Sequence, residues 1–218
     1  MYSCNNNSKK NQDKYNFEIE RFDKLFSQSN PDDLFYLKKD YPFLFPSQYN
    51  DQVWLNRLND TIQKEIYREI NIVFSNLDSY KNDLNNFFKN FISYYPKYKL
   101  PRIITLNSDI QYQNRVILTD SLLLIGLDNY LGSDHFFYSS MPIYIRENLD
   151  PSMIISDIAE EYAHYVIPKN NYYTFLDKII FYGKLLYFKD IMLPFEEDKN
   201  KIGYSNSNID WAKKNEYY

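Results

Sequence analysis

Arg102-Ile103-Ile104-Thr105-Leu106, Arg115-Val116-Ile117-Leu118-Thr119 and Leu122-Leu123-Leu124-Ile125-Gly126-Leu127 are the stretches on which the fold turns. Each is short, rich in Ile, Val, Thr and Leu, and bounded by Pro, Asn, Asp or Gly. That is how a strand is written, and three of them in close succession predict one small sheet. Asn129-Tyr130-Leu131-Gly132 reads as its exit.

On either side the apolar period is helical. Residues 17–26 place Ile19, Phe22, Leu25 and Phe26 at helical spacing. Asn30 is a cap, Pro31 suits a first helical position, and Asp32 and Asp33 complement the helix dipole. Leu34 and Leu37 continue that helix until Tyr41-Pro42 ends it, and residues 41–46 read as a packed aromatic loop. A helix beginning near Asn59 or Asp60 carries Ile62, Ile66, Ile70, Val73 and Phe74, and another runs from about residue 77 to 95, where Pro96 stops it. Further helices are expected over residues 150–166, from about 172 to 189, and from about 205 through the last residue. Helices, a small sheet, then helices predict an α+β fold, mostly helical, with the sheet in the middle.

The chain has 218 residues, which suits one domain over residues 15–218 behind a polar tether at 1–14. With 44% hydrophobic and 25% charged residues it has the composition of a folded protein rather than a disordered one. The 19% aromatic content accompanies many Asn and Lys, the signature of an AT-rich genome rather than of an aromatic binding surface. A net charge of −4 argues against a nucleic-acid partner, because phosphate binding needs a basic stripe. No apolar run approaches the roughly 18–20 residues that cross a bilayer.

The single cysteine excludes an internal disulfide and a cysteine-based zinc site. It sits in Met1-Tyr2-Ser3-Cys4, followed by a run of Asn, Ser and Lys. A small residue before a cysteine and a polar stretch after it match the lipidation point of a bacterial lipoprotein, although no charged and apolar leader precedes it. A cysteine in a frayed tail is the other reading.

There is no phosphate loop, dinucleotide glycine fingerprint or serine elbow. Two histidines remain. His135 follows Gly132-Ser133-Asp134 and reads as an ordinary surface residue. His164 closes Glu160-Glu161-Tyr162-Ala163-His164, which fits the frame of the zinc-peptidase helix H-E-x-x-H with glutamate at its first position. Glu160 and His164, at i and i+4, share a helix face, and a carboxylate can ligate zinc. In that reading Glu160 and His164 are ligands and Glu161 the general base. In the plainer one, Ile154, Ile158, Tyr162 and Tyr165 form the buried stripe and Glu160 and His164 are a solvent-facing pair.

The chain also resembles the gliding motility lipoprotein GldB family of Bacteroidetes. The resemblance rests on blocks that keep their order over nearly the whole length: residues 20–24 with Phe26, 37–46, Val53-Trp54-Leu55-Asn56, Ile104-Thr105-Leu106, 120–132, 182–187 with Leu193-Pro194, Lys201-Ile202-Gly203-Tyr204, Trp211 and Asn215-Glu216. It implies a lipid-anchored envelope protein facing the periplasm, or a cytoplasmic one if the signal is truly absent. Cys4 is then the lipidation site, other gliding or type IX secretion proteins are the partners, and no cofactor is used. It further implies a zincin-like helix-sheet core whose metal site is degenerate. Those peptidases take a third ligand from a glutamate before a glycine, and Tyr182-Gly183 stands there. Glu160, Glu161 and His164 are then the remains of a site, and the protein is non-catalytic. The family chain continues beyond the end of this one, so this copy reads as shortened at its C-terminus. A zinc-dependent hydrolase and a decaying remnant are the alternatives.

Overall fold

The computed structural model describes residues 17–168 and 174–216; the tether and Cys4 lie outside the described residues. In chain order the elements are β1 (Ile19–Arg21), α1 (Phe22–Ser27), α2 (Leu34–Asp40), α3 (Asp51–Asn59), α4 (Thr61–Val73), α5 (Asp78–Tyr94), β2 (Arg102–Leu106), β3 (Val116–Leu118), β4 (Leu122–Gly126), α6 (Ile143–Arg146), α7 (Ile154–Val166), α8 (Phe175–Met192), α9 (Asp198–Ile202) and α10 (Asn206–Lys214). The fold is α+β, with a small mixed sheet as expected.

The sheet has four strands in the order β1-β2-β4-β3. β1, β2 and β4 are parallel, and β3 closes one edge antiparallel to β4. The fourth strand corrects the first half of the expected helix over residues 17–26, whose second half forms as α1 with Phe22 and Phe26 buried. Ile19, Glu20 and Arg21 instead pair with Ile103, Ile104 and Thr105. Arg102 clamps Glu20 with two bonds of 2.7 Å, and the Tyr41 hydroxyl donates to the same carboxylate at 3.0 Å. A strand this short is set by its neighbour rather than by its own spacing.

Elsewhere local signals act as written. Asn30 and Asp33 form a reciprocal capping box ahead of α2, and Asp60 caps α4 by accepting from the Gln63 amide at 2.8 Å. α3 has no fully buried residue, although Trp54, Leu55 and Leu58 pack half-buried against the core; Asn50 caps it. α10 ends at Lys214, short of the expected end of that helix. No helix among the described residues is long and apolar enough to cross a membrane.

Aromatic rings fill the seam between α5 and α7. Phe87, Phe88 and Phe91 of α5 surround Tyr162 of α7 with ring centroids 5.0, 5.9 and 4.8 Å away, and all four side chains are fully buried. Such edge-on contacts add about 0.5–1.5 kcal/mol each beyond area burial. α7 in turn packs on β3, α5 and α8. α8 buries Phe181, Leu185, Phe188 and Met192, yet its opposite side is apolar too. Phe175, Leu176, Ile179, Ile180, Tyr182 and Tyr187 all face solvent there, Phe175 at 79% exposure.

Candidate functional site

Asp150 starts the turn into α7, accepting from the Ser152 amide at 3.0 Å, with Pro151 pre-set for the first helical position. Ile154, Ile158, Tyr162 and Ala163 then bury one wide face. Tyr165 is outside it, correcting the expected stripe: its hydroxyl donates to Asp120 at 2.8 Å and holds the ring at the surface.

The expected solvent-facing pair is also corrected. Glu160 is half-buried and bound to α8, where Lys189 Nζ donates to its Oε2 at 2.6 Å. Lys189 is 4% exposed, and its ammonium also donates to the Lys201 carbonyl at 3.0 Å. Burial alone pushes the Glu160 carboxyl up, but the lysine outweighs it and holds the group below the ordinary carboxylate range. The Phe181 ring lies 5.8 Å from the His164 ring, while Tyr182 is exposed. Among the described residues no group of three or more His, Cys, Asp or Glu side chains is arranged to hold a metal ion. The arrangement is therefore a carboxylate already neutralised by an ammonium, and a dication approaching it meets a fixed like charge.

His135 is not an ordinary surface residue. Its Nδ1 accepts from the Phe137 amide at 3.3 Å, its Nε2 lies 3.3 Å from Glu69 of α4, and its side chain is 11% exposed.

A second polar cluster lies where β1, β2 and β4 end together, the place where parallel sheets bind ligands. Asp128, fully buried just past β4, accepts from the backbone amides of Ser108 at 2.8 Å and Ile110 at 2.5 Å. Burial pushes its carboxyl up to about 6 against the pull of those donors. Gly126 permits this closeness, since a Cβ there would lie 2.7 Å from Ser108 Oγ and 2.9 Å from Asn129 Nδ2. Between the Asp128 bonds, Asp109 and Ile110 both take left-handed backbone, with φ of 60° and 58°. A β-branched residue there is strained, at a cost of about 1–3 kcal/mol. Asp109 is held by Arg57 through bonds of 2.6 and 2.7 Å and by Gln63 at 2.7 Å. Only the turn residues Asn107-Ser108-Asp109 and Asp128-Asn129 hint at this cluster in the sequence.

The family model described as gliding motility protein GldB matches residues 3–218. The chain belongs to the GldB family. Membership links it to gliding motility. No curated protein and no solved structure matches it significantly. Several of the GldB-like blocks fall on the elements that build the strand-end cluster: residues 104–106 on β2, 120–132 across β4 and the Asp128 knot, and Trp54 on α3.

Proposed function

We propose that this GldB-family chain is a non-catalytic, lipid-anchored envelope protein that supports gliding motility, in machinery tied to type IX secretion, through contacts with other proteins. The observation that carries the non-catalytic reading is the Lys189–Glu160 pair. At the position where a zinc helix would present its first ligand, a carboxylate is bound to a buried ammonium. The carboxylate keeps further lone pairs, but its charge is neutralised by the ammonium bound to Oε2, which repels an incoming dication. The position of α7 beside the sheet edge β3 supports the further reading that a zincin-like helix-sheet core persists here as scaffold.

Protein contact is supported by the outward side of α8, whose exposed aromatic and aliphatic side chains form a contiguous apolar strip of the kind that marks interaction surfaces. Anchoring through Cys4 rests on its sequence context and fits an anchored rather than spanning protein.

A gene deletion complemented in the native host tests the reading. The wild-type chain and Glu161→Gln restore colony spreading equally, whereas Cys4→Ala fails to restore it and loses incorporation of a fatty-acid label. Normal spreading without the gene would sink the motility role. A folded Glu161→Gln chain that fails to restore spreading, together with stoichiometric zinc in the purified wild type, would turn the protein into an enzyme. A labelled Cys4→Ala chain would remove the anchor.

A further inference from the structure

A cavity at the ends of β1 and β2 and a second one between the end of α1, α3 and α4 share Arg57 and Tyr67 in their linings. The smaller, of about 200 Å³, is an aromatic chamber walled by Phe22, Phe26, Leu44 and Trp54. The larger, of about 470 Å³, carries Lys64 and Arg68 besides Arg57, with Gln28 and Asn71. No carboxylate lines it among the described residues, although the chain as a whole has net charge −4. Three cations converging on one cavity of an acidic protein are a selective arrangement.

The donors there are unequally engaged. Arg57 is committed to Asp109, which cancels the one acid of the chamber. Arg68 meets Glu65 and Glu69 through Nη2, and its other nitrogens donate to no described residue. Lys64 has no carboxylate within ion-pairing distance among the described residues. In the chamber wall, Trp54 Nε1 is buried and meets no acceptor among the described residues. An unmatched buried donor is costly and needs an accounting. Tyr67 stays a neutral hydroxyl between the two cavities, its pKa pushed up to about 12 by burial against the pull of Arg57.

The geometry points to a binding site for a small anionic amphiphile: an acidic head, phosphate or carboxylate, at Lys64 and Arg68, and a short apolar or aromatic body in the chamber walled by Phe22, Phe26, Leu44 and Trp54. One wall of the chamber is held in place, because Asp109 is bound by Arg57 and Gln63 and the next residue, Ile110, by Asp128. Sites with apolar walls and a few convergent polar groups are the usual form of small-ligand pockets.

The protein supplies its own reporter, since it has two tryptophans and Trp211 is exposed. In a Trp211→Phe background the emission of Trp54 is followed while hexyl phosphate is added, with inorganic phosphate and hexanol as separate probes. The expected result is a saturable change with hexyl phosphate alone, weakened about tenfold or more by Lys64→Gln or Arg68→Gln and unaltered by Lys213→Gln. Both altered positions are exposed, so folding is retained and is checked by circular dichroism. Co-sedimentation with phosphatidylglycerol vesicles but not phosphatidylcholine vesicles assigns the head to a lipid; binding of the soluble ester without sedimentation assigns it to a free metabolite. The absence of any saturable Trp54 response, equal affinity for hexanol, or undiminished binding in both glutamine variants would overturn the site.

Discussion

Arg115 and Asp157 meet in a two-pronged ion pair that ties the sheet edge to α7. Arg115 donates through Nε to Oδ2 at 2.5 Å and through Nη2 to Oδ1 at 2.7 Å, and the buried Tyr130 hydroxyl adds a third bond to Oδ2 at 2.8 Å. The Asp157 side chain is 8% exposed and that of Arg115 24%. Asp157→Asn keeps the shape but leaves a partly buried guanidinium without its countercharge. The expected cost is about 2–4 kcal/mol, toward the lower end because solvent reaches the arginine. Urea unfolding measures it, and a loss below about 0.5 kcal/mol would place the anchoring of α7 in its apolar face alone.

The Glu160–Lys189 pair predicts a different pattern. Glu160→Gln leaves an amide oxygen that can accept from Lys189 Nζ but removes the countercharge of a buried ammonium, at a cost of about 1–2 kcal/mol, discounted because Glu160 reaches solvent. Lys189→Met together with Glu160→Gln costs less than Glu160→Gln alone. The folded-state pKa of Glu160 lies below its ordinary value, so its contribution is complete above about pH 4.5 and is lost as pH falls through the folded value. Thermal unfolding of the wild type, Glu160→Gln, Lys189→Met and the double variant at neutral and acidic pH checks both points. A double variant as unstable as Glu160→Gln would count against coupling.

Asp128 has the opposite sign. Its folded-state pKa is about 6 against an ordinary 3.8. Its contribution to stability is therefore full below about pH 4 and declines as pH rises through about 6. The difference in unfolding free energy between wild type and Asp128→Asn should shift against the wild type over that window, at up to roughly 1.4 kcal/mol per unit of pKa difference. Urea titrations at a series of pH values follow it, and a pH-independent difference would mean that the carboxyl ionises in the fold as it does in the open chain.

Much of this fold is legible in the sequence because it is written locally. β4 stands out as an unbroken apolar run, with Leu123 and Ile125 fully buried and Leu122 and Leu124 partly covered on the other face, and the caps at Asn30 and Asp60 act within one helical turn. β1 is illegible because three residues carry no period of their own. α3 is hard to read because only Trp54, Leu55 and Leu58 mark its inner face, over little more than one turn among Gln52, Asn56, Arg57 and Asn59.

The candidate sites divide the same way. Glu160 and His164 share a face by helical arithmetic alone, so the pairing of those two positions is readable. Lys189 lies 29 residues further on, on another helix, and nothing local announces that it reaches Glu160. Ile110 opposes its local preference: a left-handed isoleucine is the last conformation its type suggests, and the bond of its amide to Asp128, beside an Asp109 held by Arg57 and Gln63, keeps it there. Where long-range bonds override a residue's own bias, the sequence offers no trace.

Helix α8 faces the core with one side and open water with an equally greasy other. Saturation mutagenesis scored for folding alone should tolerate polar replacements at Leu176, Ile179 and Tyr187 as it would at any surface position. Scored for colony spreading, the same positions should become as intolerant as Leu185 or Phe188, so the helix would carry two separate selective imprints, one from its own architecture and one from its neighbours.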